Sequence, residues 1–372
     1  MPAARHQVPS GLYWQTRLFA ATRRLWLALG NLESSVLRDE LESKAIEAPI
    51  YVCGLARSGT TMLTELLNAH PDVTSHRYSD FPATWTPYWR NWLRQRSQVV
   101  QPKPVERAHQ DRIQVTQDSP EAVEEVLWMY FHPECHDAGH NQHLGADHQH
   151  PEFEAFYRDH LAKLLLVRQA RRYLAKGNYN VSRLGYLQRL FPDARFVLAW
   201  RDPVAHIASL QKQHRLFSEG QTANPRMRFQ LGASGHFEFG LDRTPINWGD
   251  SQATREILDC WQEGQEVRGW ALYWAGLYQY LVDQVESSTS LSDAAHWVAY
   301  EQLCSESEST IDRLLDQCAL PAEPFSEQRA RYSAELTLPD YYQPHFSAEE
   351  EQLIRQLTGP AVERLRTMSL CR

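Results

Sequence analysis

Apolar residues recur along this chain at the helical period in some stretches and as short unbroken runs in others, and the two kinds of stretch alternate. Residues 12–45 carry the helical pattern, with Leu18, Phe19, Leu25, Trp26 and Leu29 on one face. Glu47-Ala48-Pro49 ends it, because the residue before a proline avoids the helix. Ile50-Tyr51-Val52 is a short strand-like run, followed after a glycine-bearing turn by Leu63, Leu66 and Leu67 at helical spacing up to His70. Residues 83–175 read as helical and aromatic, with Trp85, Trp89 and Trp92, a helix Glu121–Phe131 started by Ser119-Pro120, and a long helix from Phe153. A helix over 182–190 leads into Ala194–Trp200, an apolar run of the kind that fills a buried parallel strand. Pro203 then opens the helix Val204–Gln213. Helix Glu266–Val285 sets Trp270, Tyr273, Trp274, Leu277 and Leu281 at core spacing, residues 296–303 run from strand into helix, and a last helix starts near Ser347.

Alternating strands and helices predict an α/β fold: a P-loop-like sandwich with a central parallel sheet flanked by helices, plus a helical insertion. We read residues 1–372 as one domain, with an N-terminal helical extension over 1–48 and the insertion over 83–175 covering the site. His70–Pro82 then crosses the carboxyl edge of the sheet, where ligands of open α/β sheets bind. Residues 217–250, with five glycines and no period, predict a long loop, a lid over about 215–250.

Composition narrows the field without choosing within it. The chain has 372 residues, 42% of them hydrophobic, a net charge of −8 and a pI near 6.1, which excludes nucleic acid as a bulk partner. Its six cysteines form no C-x-x-C pair, as expected of reduced thiols in a cytoplasm. No run approaches the roughly 18 apolar residues of a membrane span, and arginines interrupt every candidate secretory core. The apolar face of residues 12–29, with Arg17, Arg23 and Arg24 beside it, fits a membrane-surface helix, or one packed on the domain or on a second subunit.

The chemistry centres on Pro49–Thr61. Gly54-x-x-x-x-Gly59-Thr60-Thr61 has the spacing of a nucleotide P-loop, with free N–H groups expected at a helix start and hydroxyls on Ser58, Thr60 and Thr61. Thr60 stands where a triphosphatase places its lysine, and the cation is Arg57 inside the loop. The pattern therefore suits a phosphate or sulfate group better than a triphosphate. A second element, Phe191-Pro-Asp-Ala-Arg-Phe-Val-Leu-Ala-Trp-Arg201-Asp-Pro, puts Arg201 at a strand's carboxyl end, with Ser209 eight residues on. The competing reading makes Asp202 a magnesium ligand of a Walker-B-like strand, which leaves Arg201 without a use.

Leu55-Ala-Arg-Ser-Gly-Thr-Thr-Met62 resembles the 5′-phosphosulfate loop of sulfotransferases that use 3′-phosphoadenosine 5′-phosphosulfate (PAPS), with Ala56 in place of the usual proline. Arg201 and Ser209 resemble that family's 3′-phosphate element, and Val298-Ala-Tyr300-Glu301-Gln302-Leu303 its third signature, with Gln302 where an acid is usual. The resemblance covers about 49–82, 176–210 and 296–303. His70-Pro-Asp-Val73, together with the absence of a late Arg-Lys-Gly segment, places it nearer the bacterial and tyrosylprotein or carbohydrate branch than the cytosolic aryl class. It implies sulfuryl transfer from PAPS to a hydroxyl or amine by in-line displacement, leaving 3′,5′-adenosine bisphosphate, with no metal required. It assigns Arg57, Ser58, Gly59, Thr60, Thr61 and Met62 to the phosphosulfate, Arg201 and Ser209 to the 3′-phosphate, Tyr300 to the adenine, and Glu301 to structural support.

The acceptor and the general base are open at this stage. Twelve tryptophans and sixteen tyrosines admit a small-molecule, carbohydrate or lipid acceptor. Asp80 is the first choice of base, since it follows the phosphate-loop helix across the sheet edge; Glu125 and His109 come next, then His76. His132, His136 and His140 have i, i+4 spacing, but Pro133, Gly139 and Gly145 break the helix that would aim them at one zinc, so a solvated loop is expected. A P-loop kinase or NTPase, and a nucleotide-binding protein without chemistry, are the alternative functions.

Overall fold

The computed structural model describes residues 8–97, 104–106, 114–338 and 345–370. Seven strands occur among them: β1 (Ile50–Cys53), β2 (Val73–Ser75), β3 (Val105–Glu106), β4 (Gln114–Val115), β5 (Arg172–Lys176), β6 (Arg195–Trp200) and β7 (Ala295–Ala299). Five form one parallel sheet in the order β2-β5-β1-β6-β7, and β3 pairs antiparallel with β4 as a separate hairpin. The fold is the α/β sandwich expected: a central parallel sheet flanked by helices, with every residue of β1 and β7 buried.

Two strands of this sheet were hidden from the sequence pattern, as were β3 and β4 inside the stretch read as helical. β2 is three residues long and lies inside the stretch read as a loop. β5 ends the stretch read as helical, and its Arg172 guanidinium is taken up by the carbonyls of Ala48, Cys318 and Ala319. A basic residue so satisfied sits in a buried strand although it breaks the apolar run.

One expectation is overturned. Residues 217–250 are not one long loop: helix Pro203–Ala223 runs ten residues past Gln213, and a second helix, Pro225–Ala233, follows. The Asn224 side chain caps that second helix by accepting from the N–H of Arg226. Gly220 stays helical because it is buried against the body of the protein, where tertiary packing overrides its poor propensity. Only Ser234–Asp250 is irregular, and Phe239, Ile246 and Asn247 anchor it in the interior.

The helix expected from Glu121 starts at Glu125 instead. Pro120 bridges Arg77, and the N–H of Glu121 donates to the carbonyl of His76, so backbone pairing with the loop after β2 wins over the helical start. This turns Glu121 toward the sheet edge.

Candidate functional site

β1, β6 and β7 lie side by side, and their carboxyl ends carry the three segments singled out above. After β1 the chain turns through Gly54 and Arg57, both at positive φ, and enters helix Thr60–Asn68 through Gly59 at φ 102°. No side chain caps that helix. A Cβ on Gly59 would lie 2.6 Å from the Tyr300 ring, so glycine is required by backbone conformation and by the neighbour above it. Ser58 and Thr60 are buried in the loop, Thr61 lines the adjoining cavity, and Met62 packs against the core, so its contribution to the loop is its backbone.

The two arginines converge on one edge. Arg57 Nε donates to Ser209 Oγ at 3.2 Å. Arg201, at the end of β6, holds its guanidinium 5.0 Å from the centre of the Tyr300 ring, and Glu301 Oε1 is 3.9 Å from its Nε while accepting from the N–H of Asp202 at 3.1 Å. Arg201 Nε is buried without a hydrogen bond. Beneath the loop His206 is fixed as a neutral tautomer: Nδ1 accepts from the Trp274 indole and Nε2 donates to the Ala56 carbonyl. Burial pushes its pKa down to about 3.

A cavity of about 600 Å³ opens against Arg57, Thr60 and Thr61. Phe81, Phe217, Leu231 and Phe239 give it apolar walls, and Leu12, from helix Ser10–Ala21, closes one side. Its polar end holds Glu121, Lys176, His236 and Glu238. Lys176 Nζ is 3.8 Å from Glu121 Oε1, and His236 Nδ1 is 3.8 Å from Glu238 Oε2. Burial raises the Glu121 pKa, but Lys176, His236 and the Tyr78 hydroxyl outweigh it and hold it at about 2. Glu238 balances burial in the other direction for His236, whose pKa is raised.

The expected bases fare differently. Asp80 is 2% exposed and clamped by Arg168, His76 and Asn91; burial raises its pKa, and Arg168 and His76 drive it far below the usual carboxylate range. A carboxylate so enclosed does not line the cavity beside Arg57, which speaks against Asp80 as the base. His76 is buried between Asp80 and His160. Glu125 is bidentate to Arg183 at 2.9 and 2.7 Å and meets His136 at 2.9 Å, so its acceptor sites are taken. His109 lies outside the described residues.

The histidines diverge as well. His132 sits 3.3 Å from His148 (Nε2 to Nε2), His136 turns to Glu125, and His140 to Asp137. The ligand atoms of Glu125, Cys135 and His136 lie within 4.8 Å of one another, but Arg183 already supplies the cation there. Glu121 and Lys176 are the residues sequence reasoning missed. The signal for Lys176 was a lysine and glycine closing a strand that was not recognised, and Glu121 was absorbed into a helix start.

The family profile "Sulfotransferase family" matches residues 49–243. No curated protein matches the sequence. Among solved structures, a sulfotransferase, STF9, from Mycobacterium avium shares the fold at 14% identity and a TM-score of 0.53, over 89% of this chain and 80% of that one. A sulfotransferase, STF1, from Mycobacterium tuberculosis follows at 16% identity and a TM-score of 0.44, over 98% of this chain and 89% of that one.

Proposed function

The chain belongs to the sulfotransferase family, and on that premise we propose that it moves a sulfuryl group from PAPS to a hydroxyl or amine of an acceptor held in the 600 Å³ cavity. The observation that carries this is the convergence of Arg57, Ser209, Arg201 and Tyr300 on one sheet edge, with the cavity opening beside Arg57. The residues fit the donor: a buried guanidinium nitrogen without a hydrogen bond, a helix start without a side-chain cap, and a glycine cradle that a Cβ would fill. When bound, PAPS supplies a sulfuryl group activated by a good phosphate leaving group.

Arg57 and the N–H groups from Gly59 to Met62 hold negative charge at the 5′ side, with the Ser58 hydroxyl beside them, and Arg201 with Ser209 holds the 3′-phosphate. Tyr300, with one ring edge against Gly59 and the Arg201 guanidinium over the ring, stands where the base would bind. Glu121 is the proton acceptor for the attacking hydroxyl, because it is an ionised carboxylate on the cavity wall. Lys176 lies between that carboxylate and the phosphate loop, since β5 is the sheet neighbour of β1. An incoming anion draws its ammonium away from Glu121, which raises the basicity of the carboxylate as the donor arrives. His236, oriented by Glu238, borders the same polar end. Apolar walls with one polar end suit an acceptor carrying its hydroxyl on an apolar body.

The scattered, buried free cysteines suit a reducing cytoplasm. The test is thermal unfolding with 3′,5′-adenosine bisphosphate against ATP with magnesium, then PAPS turnover on hydroxylated acceptors. Ligand at a hundred times its Kd adds about 2.7 kcal/mol. Stabilisation by the bisphosphate alone supports the reading; preference for ATP with magnesium points to phosphoryl transfer, and no response to a protein without chemistry.

A further inference from the structure

No helix among the described residues is long and apolar enough to cross a membrane. The exposed apolar side chains are nevertheless concentrated. Of nine large hydrophobic residues exposed among the described residues, five, Trp14, Leu18, Leu25, Leu32 and Val36, stand on helices Ser10–Ala21 and Arg23–Val36. The backbone ladder continues through Thr22, which donates to Leu18 and accepts from Trp26. At 100° per residue Trp14 and Leu18 fall within about 40° of each other on the first helix, and Leu25, Leu32 and Val36 within about 40° on the second, with Thr22 at φ −116° and ψ 28° between the two.

The opposite face is held firmly. Leu27, Gly30 and Glu33 are buried, Glu33 pairs with the fully buried Lys163 at 3.2 Å, and Lys163 also donates to the Gly30 carbonyl. A Cβ on Gly30 would meet the Trp85 carbonyl at 2.7 Å. The second helix is therefore fixed in orientation, and the buried Thr16 and the cavity-lining Leu12 hold the first. An apolar stripe of this length, fixed toward solvent, marks an interaction surface.

Charge decides what covers it. Residues 10–32 contain Arg17, Arg23 and Arg24 and no Asp or Glu, in a chain whose net charge is −8. Arg17 and Arg24 are exposed, and both fall about 60–100° from the stripe, on one side of it. A two-fold pair of chains joined through this face would set arginines against arginines, since such an interface apposes the same patch. An anionic lipid surface takes both features: the stripe enters the headgroup boundary, and the arginines reach phosphates from its edge. Leu12, two residues before Trp14 and so on the other side of the same helix, lines the cavity that opens at Arg57, and the helix that would lie on the lipid also walls the acceptor site. We propose that the face of Trp14, Leu18, Leu25 and Leu32 docks this protein on an anionic membrane surface.

The full chain is floated with vesicles of phosphatidylcholine alone and of phosphatidylcholine mixed with phosphatidylglycerol, at low and high salt, with sedimentation velocity in parallel. Binding to the mixed vesicles is expected, weaker in high salt and on neutral lipid. Trp14→Glu and Leu18→Glu should each lower the partition coefficient roughly tenfold, and Arg24→Glu should reduce binding to the anionic vesicles alone. These positions are solvent-exposed, so an unchanged melting temperature confirms folding. No binding by the wild type overturns the proposal, as does binding that survives both apolar substitutions. Dimerisation lost in Trp14→Glu without lipid binding assigns the face to a second copy instead. None of these readouts depends on sulfuryl transfer.

Discussion

Arg57 and Ser209, 152 positions apart in sequence, share a 3.2 Å hydrogen bond across the carboxyl ends of β1 and β6. Each belongs to a different stretch singled out from the sequence, and the bond ties the two stretches together. Arg201 Nε is buried without a hydrogen bond and has only the Glu301 carboxylate 3.9 Å away, so a bound phosphate would give it a charge-assisted hydrogen bond. Arg201→Ala should weaken 3′,5′-adenosine bisphosphate binding by about 2–3 kcal/mol, and Ser209→Ala by about 1 kcal/mol, in calorimetric titration. Equal affinity in Arg201→Ala would place the 3′-phosphate elsewhere.

Gly59 combines a φ of 102° with the Tyr300 ring above it. Gly59→Ala meets both obstacles and should lower stability by about 1–3 kcal/mol while disturbing nucleotide binding. Adding Tyr300→Ala removes the steric part only, so the double variant should recover part of the melting temperature. No recovery would mean that backbone conformation alone carries the effect.

How far the sequence led depended on where each feature is encoded. The phosphate loop and the Arg201–Ser209 element are local, because glycine, hydroxyl and arginine spacing fixes them within one βα unit each. β5 was hidden because Arg172 and Lys176 bound an apolar run of only three residues, and their partners, Ala48 and Glu121, are distant in sequence. Asp80 looked catalytic from its place on the chain; the packing of helix Pro151–Arg168, which brings Arg168 onto it and encloses it, is not legible there. Glu121 reached the cavity because a backbone bridge outcompeted a helix start that local propensity favoured.

His206 and His132, held near pKa 3 by burial, stay neutral in the folded chain and charge when it unfolds. Their contribution is complete above the unfolded value of about 6.5 and is lost as pH falls toward 3. Glu125, where Arg183 overrides burial, is held at about 2 and adds a loss beginning below about 4.5. Urea unfolding free energy should therefore decline from about pH 6.5 downward and more steeply below about 4.5. His206→Gln, which keeps a donor for Ala56 and an acceptor for Trp274, should flatten the upper part of that decline. An unchanged slope would show that His206 already titrates normally.

Asp80 and Glu121 are both ionised carboxylates beside a cation, but one is enclosed and the other faces the cavity. The consequences of neutralising them should separate. Asp80→Asn leaves the buried Arg168 without its counter-charge and should cost about 3–5 kcal/mol of stability, with turnover per folded molecule little altered. Glu121→Gln removes the proposed proton acceptor and should lower kcat by roughly 100- to 10,000-fold, with bisphosphate affinity intact. Lys176→Met should also lower kcat, but it releases Glu121 from the cation that holds its pKa near 2, so the acid limb of the residual rate should move to higher pH. If Glu121→Gln retains full turnover while His236→Gln loses it, the proton goes to the imidazole facing Glu238, and the Glu121–Lys176 pair only shapes the site.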